Sequence, residues 1–275
     1  MRSDTPMAMY SNAFFGLMLR DLRVLSREIA PFLIRVAMNP LLFLFVFTYV
    51  MPHMTGGAGA SPMAAGMGGK GGFGTVLLPG LMAVAIMFSG IAAVALPLSQ
   101  EFGITREIDD RVMCPLPIGA VAIEKIVFSA LQSLIAAALV FPLAYYIPST
   151  PVLAHVSSWP FLIAVLVLAS LLAGALGLTI GTSVQPKQIG LIFGVVVVPI
   201  TFLGCVYYPW AALTNIKWLQ IGVLVNPIVY MSEGLRAALT PLAHMQEGYI
   251  LLGLMGFLVL LTWVGMRGFK KRVLS

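Results

Sequence analysis

Six charged side chains, Glu101, Arg106, Glu107, Asp109, Asp110 and Arg111, fall within eleven positions of the stretch EFGITREIDDRVMCPLP, in a chain only 9% charged. As a helix from Glu101 to Val112, the stretch places Ile104, Ile108 and Val112 on one stripe. Arg106 with Asp110, and Glu107 with Arg111, form (i, i+4) pairs on other faces, and Pro115 and Pro117 stop the helix. Exposed ion pairs contribute only about 0–1 kcal/mol each, so local stability is a poor reason to gather six charges. A docking surface for a soluble partner is the better reading; the alternative is a solvated turn between two apolar segments.

Other candidates are fewer. Glu233 and Arg236 stand three apart on an expected helix and can pair, serving either as a structural lid or as a substrate contact. A Gly-Gly-Lys ending at Lys70 invites a phosphate-loop reading, which fails: Ala64 stands where the first glycine belongs, and Gly71 follows the lysine in place of Ser or Thr. His53 with Met51, Met54, Met63 and Met67 forms a loose soft-metal set without fixed geometry, so no cofactor or metal is expected. Cys114 and Cys205 suggest no disulfide framework. No Gly-x-Ser-x-Gly or His-Glu-x-x-His occurs, and His53, His155 and His244 lie at the ends of the apolar segments or outside them. An enzyme is not expected.

The elements that position these residues are set by hydropathy. A hydrophobic content of 60% and a mean hydropathy of +0.99 exceed what soluble domains carry, and the excess comes in long blocks. Six blocks are long enough to cross a bilayer: Val36–Met54, Val76–Leu98, Ile126–Ile147, Trp159–Ser183, Ile189–Tyr207 and Tyr249–Met266. None contains Asp, Glu, Lys or Arg, which argues against an ion-coupled carrier with a midplane charge; no internal repeat is visible either. The predicted fold is an all-α integral membrane protein with an uncleaved first span. Residues 1–35 form an amphipathic N-terminal segment, 36–266 the membrane domain, and 267–275 a basic tail.

With the N-terminus inside, the inner segments hold Arg2, Arg20, Arg23, Arg27, Arg35, Arg106, Arg111, Lys125, Lys187, Arg267, Lys270, Lys271 and Arg272. The outer ones hold Lys70, Lys217 and Arg236. Basic residues stay on the cytoplasmic side, so both termini and the charged stretch are expected there. The pI of about 9.5 then reflects topology and anionic lipid, with no nucleic-acid partner implied.

Between residues 10 and 35, Phe14, Met18, Leu22, Leu25 and Ile29 share one helical face, with Arg20, Arg23 and Arg27 opposite, as in a helix lying at the membrane surface. Gly177 and Gly181, then Gly190 and Gly194, are spaced for close helix approach, within one bundle or at a homodimer seam. Pro79, Pro97, Pro142 and Pro199 lie where they kink or end spans. Residues 208–241 are too apolar for an external loop. The Asn226-Pro227 step divides them into two short helices, a re-entrant hairpin before the last span.

Six spans, an amphipathic N-terminal helix, EFGITREIDDRVMCPLP after the second span and NPIVYMSEGLRAAL before the sixth together resemble the permease subunits of ABC-2 type exporters, such as the daunorubicin-resistance and nodulation-type permeases. The resemblance covers nearly the whole chain. It implies a multi-pass permease of a bacterial inner membrane, in which two copies pair with two cytosolic ATPase subunits and export a lipid-like, drug-like or glycan substrate. Glu101, Arg106, Glu107, Asp109, Asp110 and Arg111 would form the ATPase-coupling helix (101–112). Asn226, Pro227, Glu233 and Arg236 would belong to a re-entrant gate. The alternative is a non-transporting membrane scaffold that uses the same charged helix to dock a cytosolic partner.

Overall fold

The computed structural model describes residues 6–50, 53, 73–102, 116–147, 152 and 154–273. Most of the charged stretch (103–115) and most of the Gly-rich loop (54–72) lie outside the described residues. The described residues hold helices α1 (Pro6–Arg27), α2 (Ile29–Leu44, continued as a π-helical turn over Phe45–Val50), α3 (Phe73–Gln100), α4 (Ile118–Tyr146) and α5 (Trp159–Ser183). A shorter apolar helix, α6 (Ile189–Phe202), follows, then α7 (Lys217–Gly222), α8 (Pro227–Leu239) and α9 (Glu247–Val273). No strand occurs among the described residues.

Among the described residues five helices are long and apolar enough to cross a membrane: Ile29–Val50, Gly74–Gln100, Ile118–Tyr146, Trp159–Ser183 and Glu247–Val273. This is a multi-pass membrane protein. The expected span Ile189–Tyr207 differs, because α6 is only about 21 Å long at 1.5 Å per residue, short of a hydrocarbon core of about 30 Å. Its middle, Phe193–Val197, widens into a π-helical turn, and the helix ends at a turn where Cys205 adopts φ 52°. An apolar run reads the same in sequence whether the chain crosses or turns back.

α3 and α5 form the centre, and small residues let them touch. A methyl group added at Gly177 would stand 3.0 Å from the Ile91 Cα and carbonyl oxygen, and one at Gly181 3.2 Å from Ala95 Cα. Gly177 and Gly181 thus stand where α5 approaches α3 within this chain. Gly190 and Gly194 differ: nothing stands within 4 Å of an added Cβ at either, so neither touches another helix among the described residues. Spacing identified the small-residue stripe but could not say which way it faces.

Polar rungs fix the remaining helices. Ser133 Oγ on α4 donates to the Ile86 carbonyl of α3 at 3.1 Å, and Thr179 Oγ1 on α5 donates to Leu261 O of α9 at 3.0 Å. Arg272 Nη1 donates to the Gly181 and Val184 carbonyls at 3.0 and 2.8 Å, capping the end of α5 as a cation should. Such bonds average about 0.6 kcal/mol in membranes, so close packing carries more of the assembly. The helices run on through Pro79, Pro97 and Pro142 without a break.

α1 turns Leu17 and Leu25 inward, where Leu17 joins Leu116, Val121, Ile126 and Phe269, with Phe14 packed beside them. Arg20, Arg23 and Arg27 are exposed as the amphipathic pattern requires. Ile29 departs from it: the helix breaks at Glu28, and Ile29, beyond the break, points outward.

Candidate functional site

At the end of the bundle where α3 stops, the first of the six clustered charges turns inward. Glu101 Oε1 accepts from Lys125 Nζ of α4 at 2.8 Å, and both side chains are buried. Lys125, which hydropathy placed in a loop, is instead in the second turn of α4 and clamps the start of the charged stretch to the bundle. Arg106, Glu107, Asp109, Asp110 and Arg111 lie outside the described residues.

At the opposite end, the segment 208–241 folds as a 3-10 helix (Trp210–Asn215), then α7 with a 3-10 turn (Val223–Val225), then α8; the expected two pieces are three, and Asn226 parts the last two. The reason is local. Asn226 has extended backbone and accepts from Ile228 N at 3.0 Å, an N-cap followed by proline at the first helical position. Its Nδ2 donates to the Ile200 carbonyl of α6 at 2.6 Å, so one residue starts α8 and ties it to α6.

Two more rungs follow along α8. Ser232 Oγ donates to Gly204 O at 2.7 Å, and Arg236 Nη2 donates to Cys205 O at 3.1 Å, holding the left-handed turn of a residue with a Cβ. Arg236 also pairs through Nη1 with Glu233, as their spacing predicts. Glu233 accepts in addition from Trp210 N at 2.8 Å and Met245 N at 2.9 Å. Both charged side chains are fully buried within the protein, so the pair is shielded by helices and faces neither lipid nor an open path. It joins three segments, the turn after α6, α8 and the approach to α9.

A cavity of about 950 Å³ opens between α1, α2, α3 and α4, with Phe193 of α6 at its edge. Every third or fourth residue of α3 from Val84 to Gln100 lines it, a stripe about 24 Å long at 1.5 Å per residue. Its mouth carries Arg20, Asp21, Glu28, Glu101 and Lys125; farther in, Phe88, Ala92, Phe128 and Phe193 make it apolar. Sequence reading missed this site because its wall comes from separate helices and holds few charges. The legible signal was modest: Asn39, Ser89 and Gln132 interrupt otherwise apolar spans.

A family model described as ABC-2 type transporter matches residues 12–240. This match runs from within α1 to the end of α8, and the chain belongs to that family. No curated protein matches the sequence.

Proposed function

We propose that the chain is the permease subunit of an ATP-driven ABC-2 exporter in a bacterial inner membrane, moving a lipid-like, drug-like or glycan-bearing substrate out of the cytoplasm or inner leaflet. Hydrolysis belongs to a separate cytosolic ATPase, two copies of which act with two permease copies. The observation that carries this reading is the cavity, polar at its mouth and apolar within, set among membrane-spanning helices. A scaffold that merely docks a partner needs no such space. The basic asymmetry of the sequence puts both termini and the cavity mouth on the cytoplasmic side. In this reading the short α6 and the α7–α8 hairpin together complete the sixth crossing. Gly190 and Gly194, open to the outside of the chain, are available to the second copy.

Residues 101–112 transmit the ATPase stroke. Glu101, locked to Lys125, anchors that segment to α4, while Glu107 and Asp110 meet basic groups of the ATPase. Charge reversal tests this. Glu107→Lys with Asp110→Lys is expected to leave insertion and yield unchanged while ATPase co-purification falls at least tenfold, because like charges across an interface cost several kcal/mol. A double variant that retains its ATPase and transports like the wild type removes the coupling assignment.

A further inference from the structure

Four polar side chains in the cavity wall have no hydrogen-bond or ionic partner among the described residues. They are Arg35 and Asn39 of α2, Ser89 of α3 and Gln132 of α4. Ser89 is 5% exposed and its Oγ bonds to nothing. The Ser133–Ile86 bond brings the neighbouring residues Gln132 and Ser89 to about the same depth. Gln132 is half-buried, and Arg35 and Asn39 are exposed. An unsatisfied polar group inside a bilayer costs several kcal/mol, so the buried Ser89 hydroxyl, with three further unpartnered polar groups along the same wall, marks where water or the polar part of a ligand sits. The backbone adds to this: Pro40 and Pro97, both in the wall, supply no N–H to the carbonyls of Val36 and Ala93, which line it too.

We infer that this cavity binds an amphiphile whose head carries a phosphodiester and hydroxyl groups, with Arg35, Asn39, Ser89 and Gln132 as the recognising side chains. The chemistry follows from the set. Arg35 is a cation with a planar fork suited to phosphate oxygens; the two amides and the serine donate to and accept from hydroxyls. Of the acids that line the cavity, Glu28 lies two helical turns from Arg35, Glu101 is held by Lys125, and Asp21 is engaged in contacts of its own. Phe88, Phe128 and Phe193 then offer the apolar surface that acyl chains require. A volume of about 950 Å³ is at the upper end of the roughly 300–1,000 Å³ typical of ligand sites, room for a head and part of its tails.

The assignment deepens the export reading, and it is tested by binding, apart from transport. The full chain in neutral detergent is titrated into acyl-labelled phosphatidylglycerol, and separately into phosphatidylcholine with the same chains, and anisotropy is read. Phosphatidylglycerol is expected to bind about tenfold more tightly: both lipids carry the phosphodiester, but only its glycerol offers hydroxyls, and it lacks the choline cation that opposes Arg35. Arg35→Gln should abolish that preference and Arg35→Lys should keep most of it. Ser89→Val and Gln132→Leu should each weaken binding several-fold, while Lys187→Gln, outside the cavity, should change nothing.

Equal binding of the two lipids by the wild-type chain overturns the headgroup assignment and leaves export standing. A tenfold preference in a chain whose ATPase complex transports nothing overturns export and leaves the site standing. An equal loss with Lys187→Gln means that general surface charge explains the preference, and the site falls. Displacement by soluble glycerol phosphate alone means a free-anion site, which also overturns the lipid assignment.

Discussion

Two regions of this protein place polar groups among membrane helices, and they treat them in opposite ways. Around α8, Glu233 accepts three hydrogen bonds, Ser232 and Asn226 each reach a carbonyl of the neighbouring segment, and of Arg236 only Nε lacks a partner. Along the cavity, Arg35, Asn39, Ser89 and Gln132 reach none among the described residues. The groups around α8 are withdrawn from water and recover that cost inside the chain, whereas along the cavity Ser89 is buried without recovery, Gln132 is half-buried, and Arg35 and Asn39 are exposed. Partnered groups therefore serve architecture, and unpartnered ones await something that is not part of the polypeptide. The sequence offered the reverse emphasis, since charge drew attention to Glu233 and Arg236 while Ser and Gln passed as tolerated members of apolar runs.

The comparison breaks most visibly at Arg236. Arg236→Ala leaves Glu233 charged and buried, and frees the carbonyl of Cys205, whose left-handed turn Arg236 holds. Removing one member of a buried pair costs about 3–5 kcal/mol, so this variant should show sharply reduced yield and a thermal midpoint many degrees lower in detergent. Arg35→Ala, the same change in the cavity, should leave the midpoint almost unmoved. If the two substitutions destabilise equally, Arg35 is structural and the distinction between the regions disappears.

A smaller effect is expected where α5 meets α3. Gly177→Leu must push a branched side chain against the Ile91 backbone, which already stands at contact distance, and overpacking of this kind costs about 1–3 kcal/mol. Gly194→Leu meets open space and should be neutral for the isolated chain. Stability measured on both variants checks this, and equal losses would mean that the Gly194 face of α6 packs against a neighbour after all.

This pair also shows what was legible. Length and hydropathy located five spans, Asn226-Pro227 located the start of α8 because capping chemistry is local, and a three-residue spacing gave the Glu233–Arg236 pair. Facts that depend on distant segments were not available. Lys125 reaches Glu101 from 24 residues away, and α6 stops at a turn made by Cys205, a residue with no turn preference of its own. Direction was hidden as well, since two stripes of equally spaced glycines face a helix in one case and open space in the other.

The finest test uses two serines that hydropathy cannot tell apart. Ser232 is 0% exposed and gives its proton to Gly204 O at 2.7 Å; Ser89 is 5% exposed and gives it to nothing. Ser232→Ala strands a buried carbonyl and should lower stability by about 1 kcal/mol. Ser89→Ala removes an orphan hydroxyl and leaves a methyl in the same place. Its sign is therefore opposite: no loss, or a gain of up to about 1 kcal/mol, in the chain without ligand. The advantage should shrink or reverse when the cavity is filled, because only the wild-type hydroxyl can bond to the occupant. Thermal unfolding of both variants, with and without added phosphatidylglycerol, reads the two signs side by side. A Ser89→Ala variant that loses as much stability as Ser232→Ala without lipid would show that Ser89 already has a partner, and the cavity would then lose the most enclosed of its four polar groups.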